Sequence, residues 1–364
     1  MADALSNLKT VGSGSYASDD VHFLLQPVQM EVTQVEEKER LIQSGQKHYC
    51  EMIGLENAPT EIHHAFYTQA LAQNGTRMAR DVQALALSLN QACCAASIVL
   101  VSFVRAGLPL GVLLRRALSE MGRDVCHYGI SIVRDRGIDR VALEAIIQAH
   151  GAESIVFVDG WTGKGAISGE IKRSLGADTR FPAEPRLVVL ADPGGWAWMA
   201  ASAEDWLIPS GILGATVSGL VSRSIWPSSG GLHGCVVYES LREHDVSREF
   251  VVDIDTRRKA LAPVAQATPW TDAERAELHS ATSYVVDSLA AHFSITGLNR
   301  VKPGIAEATR AVLRRVPEHV LVQDRNDRDV QLLMHLSERA GVRVEEMGSQ
   351  LGPYRAVTII RGMH

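Results

Sequence analysis

The chain has few cysteines, few aromatic residues and little net charge. Its five cysteines include no CxxC pair, so they form neither a disulfide framework nor a recognisable zinc cluster. Aromatic residues make up 5% of the 364 residues, and the formal charge is −6 at pH 7. So small a charge argues against a protein that coats nucleic acid by bulk electrostatics. We expect reduced thiols and partners that bind at local sites.

Long apolar runs are also missing. The longest apolar segments, near 92–104 and 187–201, are too short or too interrupted to span a bilayer, and no N-terminal stretch joins a basic flank to an apolar run. We therefore predict a cytoplasmic protein without membrane contact. Hydrophobic residues make up 46% of the chain, which is enough for a sizeable core in two or three domains.

Hydrophobic periodicity divides the first two thirds of the chain. Residues 1–24 are largely small and polar and predict a flexible arm. Residues 32–95 carry apolar side chains at the three- and four-residue spacing typical of helices. An apolar run, a turn and an amphipathic helix then recur in "SIVLVSFVRAGLPLGVLLRRAL", "GISIVRDRGIDRVALEAIIQAH" and "SIVFVDGWTGKGAISGEIKRSL". Strands that alternate with helices predict a parallel α/β sheet.

The last third of the chain differs from the rest in composition and charge. Residues 196–250 mix small residues, turn formers and four of the six tryptophans, which is too apolar for a linker. Residues 255–275 predict a loop, and the remainder alternates helix and strand. From residue 295 onward, eleven Lys and Arg stand against eight Asp and Glu, an excess of three positive charges. We predict a small separate α/β domain over 276–364.

Two glycine-rich loops follow predicted strands. The C-terminal ends of parallel strands meet at one edge of a sheet, where helix N-termini attract anions. Glycines let backbone amides approach a phosphate closely, and a hydroxyl and an ammonium add donors. A tight turn without a ligand is the alternative, and the spacing excludes a P-loop. The predicted phosphate-binding residues are Arg105, Ala106 and Gly107 in the first loop and Gly160, Thr162, Gly163, Lys164 and Gly165 in the second.

The order of these loops over 97–192 resembles the core of type I phosphoribosyltransferases. The resemblance implies that phosphoribosyl pyrophosphate (PRPP) binds with pyrophosphate on the first loop and the ribose 5-phosphate on the second. Arg134 and Arg136 would then stabilise the leaving pyrophosphate, with a solvated turn as the alternative. Asp159 would bond the ribose, and Asp135 or Asp159 would hold Mg²⁺. The second acid usual in this motif is here Gly160.

Six ordered motifs resemble the StiP family, which occurs in bacterial tellurite-resistance and stress gene neighbourhoods. They are "KHYCEMIG", "VSFVRAGLPLGVLLRR", "HYGISIVRDRGID", "VFVDGWTGKGAI", "EDWLIPSGILGATVSGLVSRSI" and "KPGIAEATRAVLRRVP". The resemblance implies a phosphoribosyltransferase-like domain over 25–275, with a core at 97–192 and a hood at 196–250. A Pelota-like RNA-binding domain over 276–364 would follow. The family is also labelled a cysteine protease.

From these resemblances we expect a Mg²⁺-dependent phosphoribosyltransferase with an RNA-binding tail, and a homodimer, which is common for PRPP enzymes of this fold. The alternatives are a cysteine protease and a non-catalytic adaptor that senses a nucleotide and binds RNA. The predicted acceptor-binding residues of the hood are Asp205, Ser210, Ser218, Ser222 and Arg223, and Glu51 is a further site carboxylate. The predicted RNA-binding residues are Lys302, Gly304, Glu307, Arg310, Arg314 and Arg315, for which a solvated helix face is the alternative.

A thiol protease needs a cysteine activated by a positioned histidine, often at a helix N-terminus. Cys235 lies two residues after His233 and is the best protease candidate, although no helix begins there. Cys50 follows His48 at the same spacing, and Cys126 adjoins a histidine on a predicted strand. A buried structural thiol is the alternative for all five cysteines.

Overall fold

The computed structural model describes residues 5, 8–227 and 230–362. A six-stranded sheet forms its centre, and a four-stranded sheet is built from the C-terminal part of the chain. Within the described residues, no helix has the length and apolar character needed to cross a membrane.

The elements are numbered in chain order. The strands are β1 (His22–Phe23), β2 (Gln26–Pro27), β3 (Ser97–Phe103), β4 (Asp124–Ile130), β5 (Ile132–Val133), β6 (Gly137–Ile138), β7 (Ile155–Val158), β8 (Leu187–Ala191), β9 (Met199–Ser202), β10 (Gly234–Cys235), β11 (Val301–Pro303), β12 (Pro317–Val322), β13 (Arg343–Glu346) and β14 (Ala356–Ile360). The α-helices are α1 (Val35–Gln43), α2 (Glu61–Ala92), α3 (Leu108–Glu120), α4 (Arg140–His150), α5 (Ala166–Leu175), α6 (Ser247–Lys259), α7 (Asp272–His292), α8 (Ile305–Arg314) and α9 (Gln331–Arg339).

The central sheet is parallel throughout, in the order β1–β4–β3–β7–β8–β9. Its inner strands are continuous apolar runs because helices cover both faces of a parallel sheet. The chain passes from β3 to β4 on one side and later to β7 on the other, so a crevice opens beyond the C-terminal ends of β3 and β7. The predicted parallel α/β sheet is confirmed; the assignment to the type I phosphoribosyltransferase fold stays a prediction.

The predicted helical N-terminal region is present as α1 and α2. Thr60 caps the 32-residue helix α2, because its hydroxyl accepts the His63 N–H at 3.3 Å. Met78, Val82 and Leu85 lie on one face of α2 and are fully buried. This face packs against α3 and α6. The long helix thus covers one side of the central sheet.

Residues 8–24, within the predicted flexible arm, instead pack onto the sheet. Tyr16 is 1% exposed, and its hydroxyl donates to the Val217 carbonyl at 3.0 Å. Strand β1 pairs in parallel with β4, and Asp20 forms an ion pair with Arg116 at 2.7 Å. A few apolar residues among the small polar ones are sufficient to bury the segment at a free sheet edge.

The C-terminal sheet has the order β11–β14–β12–β13, with α8 and α9 packed on it. A small α/β fold is therefore present in this part of the chain. It is tightly joined to the rest: the buried Asp205 carboxylate accepts the N–H groups of Ile305 at 3.0 Å and Arg355 at 2.9 Å. Side chains from both parts share one hydrophobic cluster.

Candidate functional site

The two glycine-rich loops lie at the crevice edge as predicted, but they pack against each other. A Cβ on Gly107 would lie 2.2 Å from the Val158 carbonyl oxygen, and one on Gly160 would lie 2.7 Å from the Ala106 carbonyl oxygen. Glycine is thus needed here for the close approach of two loops. The sequence pattern did not distinguish this contact from a phosphate cradle.

The polar groups of the second loop are largely engaged by the protein itself. The Lys164 ammonium donates to the carbonyl oxygens of Leu298 at 2.6 Å and Val301 at 2.9 Å, and the Tyr354 hydroxyl donates to the Gly163 carbonyl at 2.9 Å. Gly165 adopts φ +72° before α5, and Thr162 is buried. This loop holds the C-terminal part in place.

Asp159 is buried beneath the same loop. Its carboxylate accepts the Gly160 N–H at 2.8 Å, and burial raises the pKa of the carboxyl to about 7. Asp135, the other predicted Mg²⁺ ligand, is exposed with φ +66°. Across the described residues, no group of three or more His, Cys, Asp and Glu side chains is arranged to hold a metal ion. The magnesium site stays a prediction.

Arg105 bonds the protein as well. Its guanidinium donates to the Glu56 carboxylate at 2.8 Å and to the Val221 carbonyl at 3.2 Å. Burial alone would raise the pKa of Glu56, but Arg105 and Arg314 outweigh it and hold that pKa at about 2. The ion pair between Arg105 and Glu56 ties the first loop to the segment that precedes α2.

Most of the predicted hood residues form hydrogen bonds with other parts of the protein. Asp205 anchors the C-terminal part, Ser218 donates to the Gly214 carbonyl at 2.8 Å, and Ser222 donates to the Arg223 carbonyl at 2.8 Å. Ser210 is half-buried. Arg223 donates to the carbonyl oxygens on either side of Cys50, those of Tyr49 at 2.7 Å and Met52 at 2.8 Å.

The residues predicted to bind RNA face the N-terminal part of the chain rather than solvent. Lys302 is buried, Arg310 lies over the Trp161 ring at 5.5 Å, and Arg315 forms an ion pair with the buried Glu39. Arg314 lies 3.5 Å from Glu56, Gly304 is buried at the start of α8 with φ +89°, and Glu307 is half-buried. Helical spacing predicted the charged face correctly, but not the direction in which tertiary packing turns it.

Among the described residues, a cysteine comes closest to a histidine at the short 3₁₀ turn Tyr49–Glu51. His48 precedes the turn, and its imidazole accepts the Cys50 N–H at 3.5 Å. In return, the Glu51 carboxylate accepts the His48 N–H at 3.1 Å, which completes a capping box. This local structure places the Cys50 Sγ 2.9 Å from the His48 Nδ1.

The environment keeps both members of this pair neutral. Burial raises the pKa of the Cys50 thiol, with Arg136 opposing it, and burial together with Arg136 lowers the pKa of His48. The Arg136 guanidinium donates to Glu51 at 2.5 Å. A neutral thiol therefore faces a neutral imidazole that can accept its proton.

Sequence reasoning ranked Cys235 above Cys50, and the geometry reverses that order. The Cys235 Sγ lies 3.3 Å from the Val236 carbonyl oxygen and near Ser222, and burial raises the pKa of its thiol to about 11. All five cysteines belong to the described residues, and Cys50 is the one among them with a histidine ring at contact distance. The H-x-x-E pattern of a capping box, His48 to Glu51, is the signal that indicates a turn at Cys50.

His48 lines a cleft of about 770 Å³ that runs between the N-terminal segment and α8. Arg134 and Arg136 lie on one side of it, and Arg314 lies on the other. The Arg134 N–H donates to the Tyr49 hydroxyl at 2.8 Å, so the arginine segment is held against the 3₁₀ turn. A cleft of this size accommodates a short peptide segment or another small ligand.

Comparison with known proteins adds a family and a relative. Residues 14–255 match the family model described as tellurite-like stress resistance cysteine protease StiP, and residues 280–362 match the PELOTA RNA binding domain. A protein named cysteine protease StiP from Acinetobacter baylyi is 51% identical over 371 residues, which covers 97% of this chain and 95% of that protein. The crystal structure of an inhibitor-bound glycine decarboxylase aligns with 99% of this chain and 83% of the decarboxylase chain at 14% identity. Its TM-score of 0.23 is too low to indicate a shared fold.

These matches correct the main functional prediction. Both the family model and the relative carry the description of a cysteine protease, so the prediction of a phosphoribosyltransferase acting on PRPP is wrong, and the protease alternative is the better supported one. Lys164 and Arg105, which were predicted to bind phosphate, instead form hydrogen bonds within the protein, and this agrees with the correction. The predicted family is confirmed: the chain belongs to the StiP family and carries a Pelota-type RNA-binding domain at its C-terminal end.

Proposed function

We propose that this chain hydrolyses peptide bonds, with the Cys50 thiol as nucleophile and the His48 imidazole as proton acceptor. The observation that carries the proposal is the 2.9 Å separation of the Cys50 Sγ and the His48 Nδ1. A thiol within hydrogen-bond reach of a histidine is the geometry that activates a cysteine nucleophile. The protease description of the family and of the Acinetobacter relative supports the same chemistry.

The steps balance with water as the second substrate. As Sγ attacks the peptide carbonyl carbon, its proton moves to the His48 Nδ1, and the same proton then passes to the leaving amine as the C–N bond breaks. Water, deprotonated by His48, next attacks the thioester and releases the carboxylic acid, and the thiol regains its proton. The Arg136 guanidinium lies near the thiol and favours the transient negative charge on sulfur.

Neighbouring contacts keep the histidine in place. The His48 ring lies 4.4 Å from the Tyr49 ring between centroids, and the Glu51 carboxylate accepts the His48 N–H. Cys50 itself is fully buried, whereas residues 44–47 just before the pair are exposed. The proposal therefore requires this exposed segment to shift when a peptide enters.

The test compares Cys50→Ala with the matched variant Cys235→Ala on a panel of unfolded protein substrates and fluorogenic peptides. We expect Cys50→Ala to lower kcat/KM by at least about 1,000-fold, because the nucleophile is lost. Cys235→Ala should leave cleavage unchanged. Mass spectrometry of protein inhibited with a peptidyl electrophile should locate the adduct on Cys50. Full activity in Cys50→Ala, with a native circular dichroism spectrum, would refute the assignment.

A second function, RNA binding by residues 280–362, is supported by the match to the PELOTA domain. The face of α8 points inward, so we propose that RNA uses the exposed side of this part, where Arg328 and Arg343 lie. Arg328→Gln with Arg343→Gln should weaken binding of a folded RNA hairpin and reduce its salt dependence. Unchanged affinity of the double variant would exclude this surface.

A further inference from the structure

The cleft beside His48 is strongly cationic. Ten lysine and arginine side chains line it, against four aspartate and glutamate side chains. The chain as a whole has a formal charge of −6, so this concentration of positive charge is local and opposite in sign to the rest of the protein. Such a cleft raises the local concentration of anions.

Two of these cations are buried without a hydrogen-bond or ion-pair partner among the residues that the structure describes. Lys38 is 8% exposed and Lys302 is 6% exposed. Neither ammonium makes a hydrogen bond or an ion pair with any residue that the structure describes, whereas Arg105 and Arg315 in the same cleft are paired with glutamates. The buried Arg134 Nε likewise has no hydrogen-bond partner within the described part.

An unpaired buried cation is costly, and the lysines show it. Burial and the neighbouring arginines lower the pKa of Lys38 to about 7. Burial also lowers the pKa of Lys302 to about 7, although the Glu307 carboxylate, which lies beyond ion-pair distance, opposes this shift. Hydrophobic residues of similar size would avoid this cost. The two lysines line the open space of the cleft, so an anion entering it would supply the missing partner.

We propose that this cleft binds acidic peptide segments and so makes the protease selective for substrates with aspartate or glutamate near the bond that is cleaved. The proposal rests on the protease function proposed above, because it names the substrate class of the same site. Carboxylates of the peptide pair with the ammonium groups of Lys38 and Lys302 while the backbone reaches His48.

A peptide fits the cleft better than a nucleic acid does. Single-stranded nucleic acids are usually held by stacking their bases on free aromatic rings. Tyr49 and Tyr238 line the cleft, but neither ring is free for stacking. The Tyr49 ring is packed against His48 and lies 5.3 Å from the Arg223 guanidinium, and Tyr238 packs against the hydrophobic cluster that contains Leu241. The cationic lining of the cleft also extends to the turn that contains Cys50, because Arg223 donates to the backbone on both sides of Cys50.

The test uses paired fluorogenic peptides that differ only in Asp and Glu against Asn and Gln. We expect the acidic peptide to be cleaved with a kcat/KM at least about tenfold higher at low salt, with the advantage falling as salt increases. Lys302→Met should remove most of that advantage. Lys172→Met, a surface lysine paired with Glu184, is the matched control and should preserve it.

A stability measurement separates a binding role from a structural one. Because Lys302 is a buried cation without a partner, Lys302→Met should keep or raise the melting temperature while it lowers acidic selectivity. A lower melting temperature together with equal loss on both peptides would show that the lysine is structural and would overturn the proposal.

The remaining outcomes distinguish this inference from the protease proposal. Equal cleavage of both peptides refutes the acidic selectivity and leaves the protease. If no peptide is cleaved, fluorescence anisotropy with Cys50→Ser tests binding alone: preference for the acidic peptide keeps the cleft assignment, and equal or absent binding refutes it. An oligoribonucleotide that displaces the acidic peptide and needs Lys302 would assign the cleft to RNA instead.

Discussion

Two histidine–cysteine pairs with the same spacing behave differently in this protein. His48 and Cys50 lie in a 3₁₀ turn, and their side chains meet at 2.9 Å. Cys235 lies in strand β10 with His233 just before it, and each side chain has another partner: His233 Nδ1 lies 2.6 Å from the Ser131 hydroxyl. Residues two apart in extended chain are separated by roughly 6.6 Å, so this spacing creates a contact only where the backbone curls.

The largest effect that tests this comparison is on catalysis. His48→Ala should lower kcat by about 1,000-fold, because the thiol loses its proton acceptor, whereas His233→Ala should leave kcat unchanged. Steady-state kinetics on one fluorogenic peptide measures both variants. An equal loss of activity in the two variants would remove the functional distinction between the pairs.

Stability should show the opposite order. His233→Ala leaves the buried Ser131 hydroxyl without this partner and should cost about 2 kcal/mol of unfolding free energy, whereas His48→Ala removes a half-buried cap and should cost about 1 kcal/mol. Urea unfolding followed by circular dichroism gives both values. A larger loss for His48→Ala would mean that the 3₁₀ turn is mainly a structural element.

The smallest expected effect is the pH dependence of cleavage. His48 must be neutral to accept the proton, and burial lowers its pKa from 6.5. Activity should therefore be constant near neutral pH and fall about tenfold per unit only below the lowered pKa of His48. Burial raises the pKa of Cys50 above 9.0, so no second limb is expected between pH 7 and 9. A bell-shaped profile centred below pH 6 would indicate a preformed thiolate–imidazolium pair instead.

For the glycine-rich loops, the sequence predicted the position in the fold but not the role. Their position after β3 and β7 followed from the alternation of apolar runs and amphipathic helices, and it is confirmed in the parallel sheet. Their role did not follow, because Gly107 and Gly160 are needed for loop-to-loop packing, and a phosphate cradle would require the same residue type. Asp159 and Lys164 lie at this edge of the sheet, where the Asp159 carboxylate accepts the Gly160 N–H and the Lys164 ammonium donates to the C-terminal part.

The charged face of α8 shows the same limit. Spacing along the helix placed Glu307, Arg310 and Arg314 on one face, which agrees with the structure. Periodicity within one helix contains no information about what lies opposite it. Contacts with Glu39 and Glu56, more than 200 residues earlier in the chain, turn this face inward.

The sequence by itself determined the parallel α/β sheet, the helical region before it, the small C-terminal fold and the family, because local hydrophobic periodicity and ordered motifs carry that information. Only the tertiary structure decided which cysteine meets a histidine and where the cations of the C-terminal part point. Those features depend on backbone curvature at Tyr49–Glu51 and on packing between segments distant in the chain. The spacing of residues along one element predicts neither this curvature nor this packing.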